Sequence, residues 1–558
     1  GATPALLTAL VDKSLLQWQA AASGEGRYTM HELLRQFAAE ALVDSGEHAE
    51  VAEEHGRYYL AYLAARGFRL GRSEPKEAGA ELQVELENIR LAWPWAANHG
   101  GLAELDQALY AWWQFCQLPG LDREARQSLA GALTGVRAQL TRLTEDAALR
   151  LLGTQLLAKV LALHANYLFA QGHDAAMAAE AREAIELGVA SGGFEGEILG
   201  SYVLGRVLQD ADQKREAQVL WKQTLQLIQR YQPQQPQNEL LHEVQWMTHM
   251  MLRGSALHFG DYGGSRAYMV QALQLAQRLG KRRCELISLS FLGQTDVFLF
   301  DFVRAAPSLV AAIDLARALG YRRSEMDSLE GLAVMARLSG DYTTALRLLE
   351  QNLMLATELA LPYDESFALA ALVRLHCQLG NAAAVMQRSE QLTQLLALVK
   401  LPRECQMAGC LALAFSMHYA GDAQVALRYA EQANQLNEQG EILFRLVDTA
   451  LVLGHTRMAV GQWAAAAMAF QQALAAFTEL DKPALAAEAQ AGLAQIALAQ
   501  GDLASAQAQI VAMLPVLAEQ PHAGYNNSFF IYLTGYHVLT ASGDPRAATI
   551  LRQGYELL

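Results

Sequence analysis

The stretch SGDYTTALRLL, residues 339–349, decides the fold of this chain because related stretches return at an almost constant spacing. Successive copies lie 40 to 42 residues apart over the second half of the sequence. They are centred on Gly260, Phe300, Gly340, Gly380, Gly421, Gly461, Gly501 and Gly543. A weaker copy, QGHDAAM, surrounds Gly172. A fixed period of this length is typical of a repeat array and not of a series of unrelated globular domains.

Each copy predicts two helices joined by a tight turn. The glycine tolerates the left-handed conformation that ends a helix, and the aspartate after it can cap the next helix. A small residue five positions later lets two helices cross closely: Ala305, Ala345, Ala426, Ala466, Ala506 and Ala548. A leucine eight positions before the glycine would face the partner helix: Leu252, Leu292, Leu332, Leu372, Leu413, Leu453 and Leu493. This spacing predicts an all-α solenoid of stacked helix pairs.

The offsets between Leu-Gly, Gly-Asp-Tyr and the following alanine resemble those of tetratricopeptide repeats, most clearly in FLGQTDVFLFDFVRAA and SGDYTTALRLLEQ. HEAT-like repeats share the length of about forty residues but lack the Gly-Asp-aromatic turn. The resemblance implies a tetratricopeptide-like α-solenoid superhelix over residues 147–558.

The composition narrows the class of protein. The 558 residues carry a net charge of −15, which disfavours nucleic acid as a direct partner of this segment. The five cysteines are scattered and form no C-x-x-C pair, which indicates a reducing compartment without a disulfide framework or a metal site. The apolar run from Met458 to Thr478 contains glutamines and is better explained as packed helices than as a membrane span. With no signal peptide in evidence, a cytoplasmic location is expected.

No catalytic motif is found in the sequence. The phosphate-binding loop G-x-x-x-x-G-K-[ST] is absent, and HEVQWMTH at His242 has its second histidine too far away for H-E-x-x-H. A nucleophile elbow, G-x-S-x-G, is absent as well. We therefore predict that this chain is not itself an enzyme.

Residues 1–48 follow a different pattern. A helix is predicted around Leu6 to Val11, a strand from Ser14 to Gln19, a turn, a second strand from Arg27 to Met30, and a helix from His31 onward. Helix, hairpin and helix form the back half of a winged-helix domain.

The stretch LVDKSLL…RYTMHELLRQFAAEAL resembles the winged-helix domain of signal-transduction ATPases with numerous domains (STAND), the family of AfsR- and MalT-like bacterial regulators. Residues 85–115 resemble the helical segment that precedes the repeats in bacterial members, although Pro94 should kink or end its helix. The resemblance implies three domains. They are the C-terminal part of a winged-helix domain (1–48), a helical arm (49–146) and a tetratricopeptide-like sensor (147–558).

Met30, His31 and Glu32 occupy the positions of the Met-His-Asp motif of that family, with glutamate replacing aspartate. The resemblance implies that His31 contacts the β-phosphate of ADP held by a nucleotide-binding domain outside this segment. It also implies ADP or ATP with Mg²⁺ as cofactors of the intact protein, and inducer-triggered oligomerisation of an otherwise monomeric sensor.

From the residues alone, His31 could instead be a helix-start residue that hydrogen-bonds locally. The alternative function is a free-standing repeat scaffold for protein–protein interaction.

The concave face of the superhelix is the predicted site for the inducer, a ligand or a protein. In such arrays the first helix of each repeat lines this face. The inward positions would be Gln294, Phe298, Asp327, Glu330, Arg337, Arg374, Phe415, His418, Tyr419, Asp448 and His455. An ordinary hydrated groove is the alternative.

Two basic clusters, Lys281 to Arg283 and Arg322 with Arg323, predict either a self-paired solvated edge or an anion or partner site.

Overall fold

The computed structural model describes residues 3–20, 26–72, 74–118, 120–143, 145–168, 174–437 and 443–557. These residues form two compact units, Gly1–Val244 and Gln245–Leu558. The boundary falls inside the helix Glu239–His258 and hence within the predicted repeat region. The division into three domains at residues 48 and 146 stays a prediction.

The chain begins with the predicted helix, hairpin and helix. The elements are α1 (Pro4–Asp12), β1 (Gln17–Ala20), β2 (Gly26–Thr29) and α2 (Glu32–Asp44). The two strands are antiparallel, with Trp18 opposite Tyr28. The middle of the predicted turn, residues 21–25, lies outside the described residues. The apolar residues Leu33 and Phe37 of α2 are 69% and 70% exposed, so this helix presents an uncovered apolar face.

Six further helices follow in the first unit. They are α3 (His48–Ala64), α4 (Gly67–Gly71), α5 (Pro75–Val84), α6 (Leu86–His99), α7 (Leu102–Cys116) and α8 (Asp122–Arg142). Their core contains Trp93 and Trp112, whose rings lie 5.1 Å apart. Both indole N–H groups donate to Ser128, one to its carbonyl oxygen and one to its hydroxyl. The paired tryptophans thereby fasten α6 and α7 onto α8.

Helix α6 does not end at Pro94. It continues to His99, with Gly100 (φ 101°) at its C-terminus. Trp93, just before the proline, and Ala96, two residues after it, are buried, and Gln139 donates from its side-chain amide to the carbonyl oxygens of Ala96 and Ala97. Burial and these hydrogen bonds hold the helix together beyond the missing proline N–H.

The described residues of the repeat region form ten helix pairs, divided between the two units. The pairs are α9 (Ala147–Leu168) with α10 (Asp174–Ser191), α11 (Phe194–Asp210) with α12 (Lys214–Tyr231), α13 (Glu239–His258) with α14 (Tyr262–Leu279), α15 (Arg282–Phe298) with α16 (Phe302–Leu319), α17 (Arg322–Leu338) with α18 (Tyr342–Glu358), α19 (Pro362–Gln378) with α20 (Ala382–Leu398), α21 (Arg403–Tyr419) with α22 (Ala423–Asn437), α23 (Leu443–Ala459) with α24 (Trp463–Glu479), α25 (Pro483–Ala499) with α26 (Leu503–Glu519), and α27 (Ser528–Ala541) with α28 (Ala547–Glu556). The predicted tetratricopeptide-like, all-α solenoid is confirmed.

The turns within the pairs adopt the predicted geometry. The glycines at the copies of the motif have positive φ, for example 81° at Gly340 and 83° at Gly501. Phe300 takes the same left-handed conformation, with φ 52°, where the other copies have glycine. The following residue caps the next helix through its side chain at Asp261, Asp301, Asp341, Asn381, Asp422 and Asp502. The copy at Gly172 lies outside the described residues.

The predicted small residues are buried at the helix crossings, with one exception. Ala305, Ala345, Ala426, Ala466 and Ala506 are 0% exposed. Ala548 is exposed; α28 begins four residues after Gly543, whereas α18 begins two residues after Gly340, and the buried residues of α28 are Ile550 and Gly554.

Among the described residues, one helix, α9, is long and apolar enough to cross a membrane. Half of its most apolar stretch is buried in the protein. In its middle, Lys159 forms ion pairs with Asp106 at 2.5 Å and Glu195 at 2.8 Å. A helix that packs between α8, α10 and α11 and carries a paired lysine has the environment of a core helix in a repeat array.

Candidate functional site

The first helices of the pairs line the inner side of the second unit. Neighbouring first helices pack directly on one another, as α15 does on α17, α19 on α21 and α25 on α27. In a stack of helix pairs this close packing marks the side of tighter curvature. The predicted site residues lie on these first helices.

A segment of the chain itself enters this inner side. The connection between α26 and α27, residues 520–527, is eight residues long, whereas α14 and α15 are joined by residues 280–281 alone. We call residues 520–527 the inner loop. Its residues Tyr525 and Asn526 are 2% and 1% exposed, so the loop is enclosed by the helices around it.

Glu488 of α25 binds the main chain of the inner loop. One carboxylate oxygen accepts hydrogen bonds from the N–H groups of Tyr525, at 2.9 Å, and Asn526, at 2.6 Å. The N–H of Asn527 lies 3.3 Å from the same oxygen, and the other oxygen lies 2.8 Å from Nε2 of His455. Burial would raise the pKa of Glu488, but these hydrogen bonds, with that to His455 the strongest, lower it below its ordinary value.

Arg374 of α19 joins the same site from the opposite side. Its guanidinium donates two hydrogen bonds of 2.6 Å to Asp448 of α23 and a further one to the side-chain oxygen of Asn526. Gln378, one helical turn further along, donates to the main-chain oxygen of Asn526. Burial alone would lower the pKa of Arg374, and the carboxylate of Asp448 raises it above its ordinary value. The bidentate pair therefore stays charged and holds the carboxamide in place.

The ring of Tyr525 fills an aromatic pocket. It lies 6.3 Å from the ring of Phe300 and 6.0 Å from that of Phe477. The guanidinium of Arg337 lies over the ring, 5.5 Å from its centre, and donates to the main-chain oxygen of Tyr525 at 2.8 Å. Both main-chain polar groups of Tyr525 thus bond to buried charged side chains.

His522 anchors the start of the inner loop. A Cβ atom on Gly340 would lie 2.4 Å from the ring of His522, so the glycine is required both for its positive φ and for this close approach. The ring also makes an edge contact with Tyr342 at 6.3 Å. Gly524, with φ 107°, donates its N–H to the main-chain oxygen of Ala484 and turns the loop inward.

The structure brings several predicted site residues together around this loop. Arg337, Arg374, Asp448 and His455 all contact it or the residues that hold it. Phe415 lies under the guanidinium of Arg374, with 5.5 Å to the ring centre, and His418 lies 6.3 Å from His455. Tyr419, 42% exposed, lies at the end of α21 away from these contacts. The position predicted as an open groove is therefore partly filled by the chain itself.

Sequence reasoning missed Gln378, Glu488 and the inner loop. The signal that could have revealed the loop is the interval from Gly501 to Gly543, which exceeds the usual spacing by two residues. The eight-residue connection lengthens this interval only slightly, because α27 has 14 residues where α25 has 17.

A second group of predicted residues lies on α15 and α17. Asp327 and Glu330 are partly buried, and no described residue forms an ion pair with either. Burial and then the nearby Asp364 raise the pKa of Asp327 to about 6. Burial, Asp327 and Asp364 raise the pKa of Glu330 to about 7. Gln294 donates to the main-chain oxygen of Asp327 at 3.2 Å, and Phe298 is partly buried at the end of α15.

Replacing Glu330 with glutamine is expected to stabilise the protein above pH 7. A carboxyl group whose pKa is raised on folding binds more protons in the folded state, so its stabilising contribution disappears as the pH rises through the folded value. At pH 8 we expect Glu330→Gln to increase the free energy of unfolding by on the order of 1–3 kcal/mol. The gain should vanish near pH 4.5, the ordinary value. Urea unfolding at both pH values measures it, with Glu431→Gln on the exposed face of α22 as the control.

The two basic clusters are mostly paired with acidic neighbours. Arg282 lies 2.8 Å from Glu285, and Arg322 lies 3.2 Å from Glu358. Lys281, in the turn between α14 and α15, is 1% exposed, so the prediction of a solvated edge is wrong at this lysine.

His31 caps the N-terminus of α2. Its Nδ1 accepts a hydrogen bond from the N–H of Leu33 at 3.3 Å. This is the local hydrogen bond expected if His31 is a helix-start residue. A neutral imidazole that accepts at Nδ1 carries its proton on Nε2, and the exposed ring leaves that N–H available as a donor. Glu32 accepts hydrogen bonds from Arg35 and then Gln36, which lower its pKa to about 2.

No family model matches this sequence. A stretch of 98 residues, 18% of the chain, is 38% identical to HTH-type transcriptional regulators of Mycobacterium tuberculosis and Mycobacterium bovis. The match spans 11% of the length of these relatives.

Three solved structures are similar to this chain. A Rap protein complexed with competence and sporulation factor is 15% identical, with a TM-score of 0.46 over 65% of this chain and 96% of that one. The apo form of RapI is 10% identical, with a TM-score of 0.46 over 70% and 98%. A Pyrococcus horikoshii STAND protein with a tetratricopeptide repeat sensor is 15% identical, with a TM-score of 0.42 over 71% and 60%. At these identities the likeness concerns the fold alone.

Proposed function

We propose that this chain is the sensor region of a STAND signal-transduction ATPase of the AfsR/MalT type, which binds an inducer on the inner side of its second unit. The observation that carries the proposal is the recognition of a bent main-chain segment, residues 525–527, by Arg337, Gln378 and Glu488. Buried charged side chains that bind peptide N–H and C=O groups form the kind of surface that a peptide or protein inducer requires. The inducer shifts the intact protein only by its difference in affinity between the resting and active states.

The resting state in this proposal depends on His31. Its free Nε2–H lies at the start of α2, where the helix dipole favours an anion. The phosphate would belong to ADP in a nucleotide-binding domain outside this segment, where ATP and Mg²⁺ replace it on activation. The uncovered apolar face of α2, with Leu33 and Phe37, offers that domain a surface on which to pack. The output would be transcription regulation or defence signalling in the cytoplasm, after oligomerisation of the intact protein.

The test is the replacement of His31 by asparagine in a protein that includes the nucleotide-binding domain. Asparagine can still cap α2 but is too short to donate to a phosphate at the same distance. Since a hydrogen bond to a charged group contributes about 1.5–3 kcal/mol, ADP affinity should fall roughly tenfold to a hundredfold. Titration calorimetry with ADP measures the change.

The matched control is His48→Ala at the exposed first turn of α3, which should leave ADP binding unchanged. Equal ADP affinity in the His31→Asn and wild-type proteins would overturn the phosphate contact. The free-standing scaffold, with no nucleotide switch, would then be the better function, because its surface in the second unit requires no ADP.

A further inference from the structure

We propose that the place held by the inner loop is a binding site for a bent peptide segment in which an aromatic residue precedes a carboxamide residue, and that residues 522–527 are its built-in occupant. The inference rests on the proposed inducer-binding function and names the chemistry of the inducer. An incoming segment would compete with the chain's own segment for the same hydrogen bonds.

The contacts define what the site recognises. Glu488 binds N–H groups, and Arg337 and Gln378 bind C=O groups, all of which belong to the main chain and are available in any peptide that adopts the same bend. Two contacts are selective. The pocket of Phe300 and Phe477 takes an aromatic ring, and Arg374 takes the oxygen of a carboxamide.

The charges of the site favour an uncharged segment. Arg337 and Arg374 contribute two positive charges, and Asp448 and Glu488 contribute two negative ones. Because these four groups balance, a charged residue at position 525 or 526 would be buried without a counter-charge, at a large desolvation cost. The residues now in place, tyrosine and asparagine, meet this condition.

The built-in occupant does not satisfy every polar atom of its site. Among the described residues, neither Nδ2 of Asn526 nor Oε1 of Gln378 has a hydrogen-bond partner, although both atoms are buried. A buried polar atom without a partner costs about 1–3 kcal/mol. A separate peptide that donates to Oε1 of Gln378 would recover part of this cost, which gives it an advantage over the inner loop.

The length of the inner loop allows it to leave without unfolding its neighbours. Helices α14 and α15, or α16 and α17, are joined by two residues, and α26 and α27 are joined by eight. The extra residues can lie outside the site while α26 and α27 stay in their places in the stack.

The experiment uses a fluorescein-labelled peptide with the sequence of residues 519–528, EQPHAGYNNS. It is titrated into the full chain and into a variant in which residues 522–526 are replaced by a Gly-Ser linker of equal length. Fluorescence anisotropy should show saturable binding to the variant and binding at least roughly tenfold weaker to the unmodified chain, in which the inner loop competes. Peptides with Tyr525→Ala, which lacks the aromatic ring, or Asn526→Asp, which buries a charge that the balanced site does not compensate, should bind roughly tenfold more weakly or worse.

Hydrogen exchange in the unmodified chain provides a test that does not depend on the folding of the linker variant. The amides of residues 525–527 should exchange through local opening, roughly tenfold or more faster than the central amides of α25. Gly340→Ala, which pushes His522 away, should speed this exchange further. Gly461→Ala is the control, since it has the same positive φ but nothing within 4 Å of the added Cβ.

Two results would overturn the inference. One is a folded linker variant that does not bind the peptide, and the other is exchange of residues 525–527 only at the rate of α25. Either result removes the inner loop as the inducer site, whereas the nucleotide switch at His31 is a separate part of the proposed function and is decided by the ADP affinity. Loss of the His31 effect on ADP, in contrast, would overturn the sensor function and leave the peptide site intact.

Discussion

Replacing Arg374 with alanine is expected to lower the free energy of unfolding by about 3–5 kcal/mol, the usual result of removing one partner of a buried ion pair. Asp448, 6% exposed, would be left without the two hydrogen bonds of 2.6 Å that now compensate its charge. The side-chain oxygen of Asn526 would lose its donor as well. Equilibrium urea unfolding followed by circular dichroism at pH 7 measures the loss.

The control is Arg388→Ala. Arg388 also forms a pair, 2.8 Å from Glu350, but that carboxylate is 41% exposed and keeps its hydration. Pairs of this kind contribute about 0–1 kcal/mol, so the control should change little. The double variant Arg374→Met with Asp448→Leu should recover much of the loss because no buried charge remains. If Arg374→Ala costs no more than the control, the buried pair does not hold this site together.

Replacing Glu488 with glutamine is expected to lower the free energy of unfolding by about 2–4 kcal/mol, because the hydrogen bonds to a charged acceptor become hydrogen bonds to a neutral one. The new NH₂ group meets other donors if it faces the N–H groups of the inner loop, and if it faces His455 it requires the tautomer in which Nε2 carries no proton. Glu488→Ala removes the acceptor entirely and should cost more. Both variants should bring the exchange rate of the amides at residues 525–527 close to that of exposed loops.

The effect of Glu488 should depend on pH in a definite direction. Its pKa is lowered in the folded protein, so the carboxylate contributes its full stability above the ordinary value of 4.5. The contribution is lost as the pH falls through the folded value. The difference in unfolding free energy between wild type and Glu488→Gln should therefore shrink as the pH falls below the ordinary value of 4.5 towards the lowered folded value. Glu431→Gln should stay within about 0.5 kcal/mol of wild type throughout. A difference that grows in acid would contradict this account.

The repeats could be predicted from the sequence because helix period and turn chemistry are local properties. Gly340 and Asp341 act on their own turn, so their pattern is visible in one copy and repeated in the others. The inner side could be predicted almost as well, since Arg374, Asp448 and His455 follow from the face of a helix on which they lie.

The occupant of the inner side could not be predicted in the same way. Asn526 and Arg374 are 152 positions apart, and no local rule links them. The change in spacing that would have marked the inner loop is small because α27 is shorter. Helix α6 continues past Pro94 for a related reason. Burial of Trp93 and Ala96 depends on distant helices, and it outweighs the local loss of one hydrogen bond.

Phe300 has a consequence for the mechanics of the array. Its ring packs against Phe477, and Nζ of Lys482 lies 3.5 Å from its carbonyl oxygen, 182 positions away. In an open solenoid each repeat depends on its neighbours alone, so the ends can fray independently. Here the turn after α15 is fastened to the turn before α25, and the four pairs between them form a closed loop. An array joined in this way resists bending. Whatever separates Phe300 from Phe477 and Lys482 therefore changes the curvature of every repeat between these two turns.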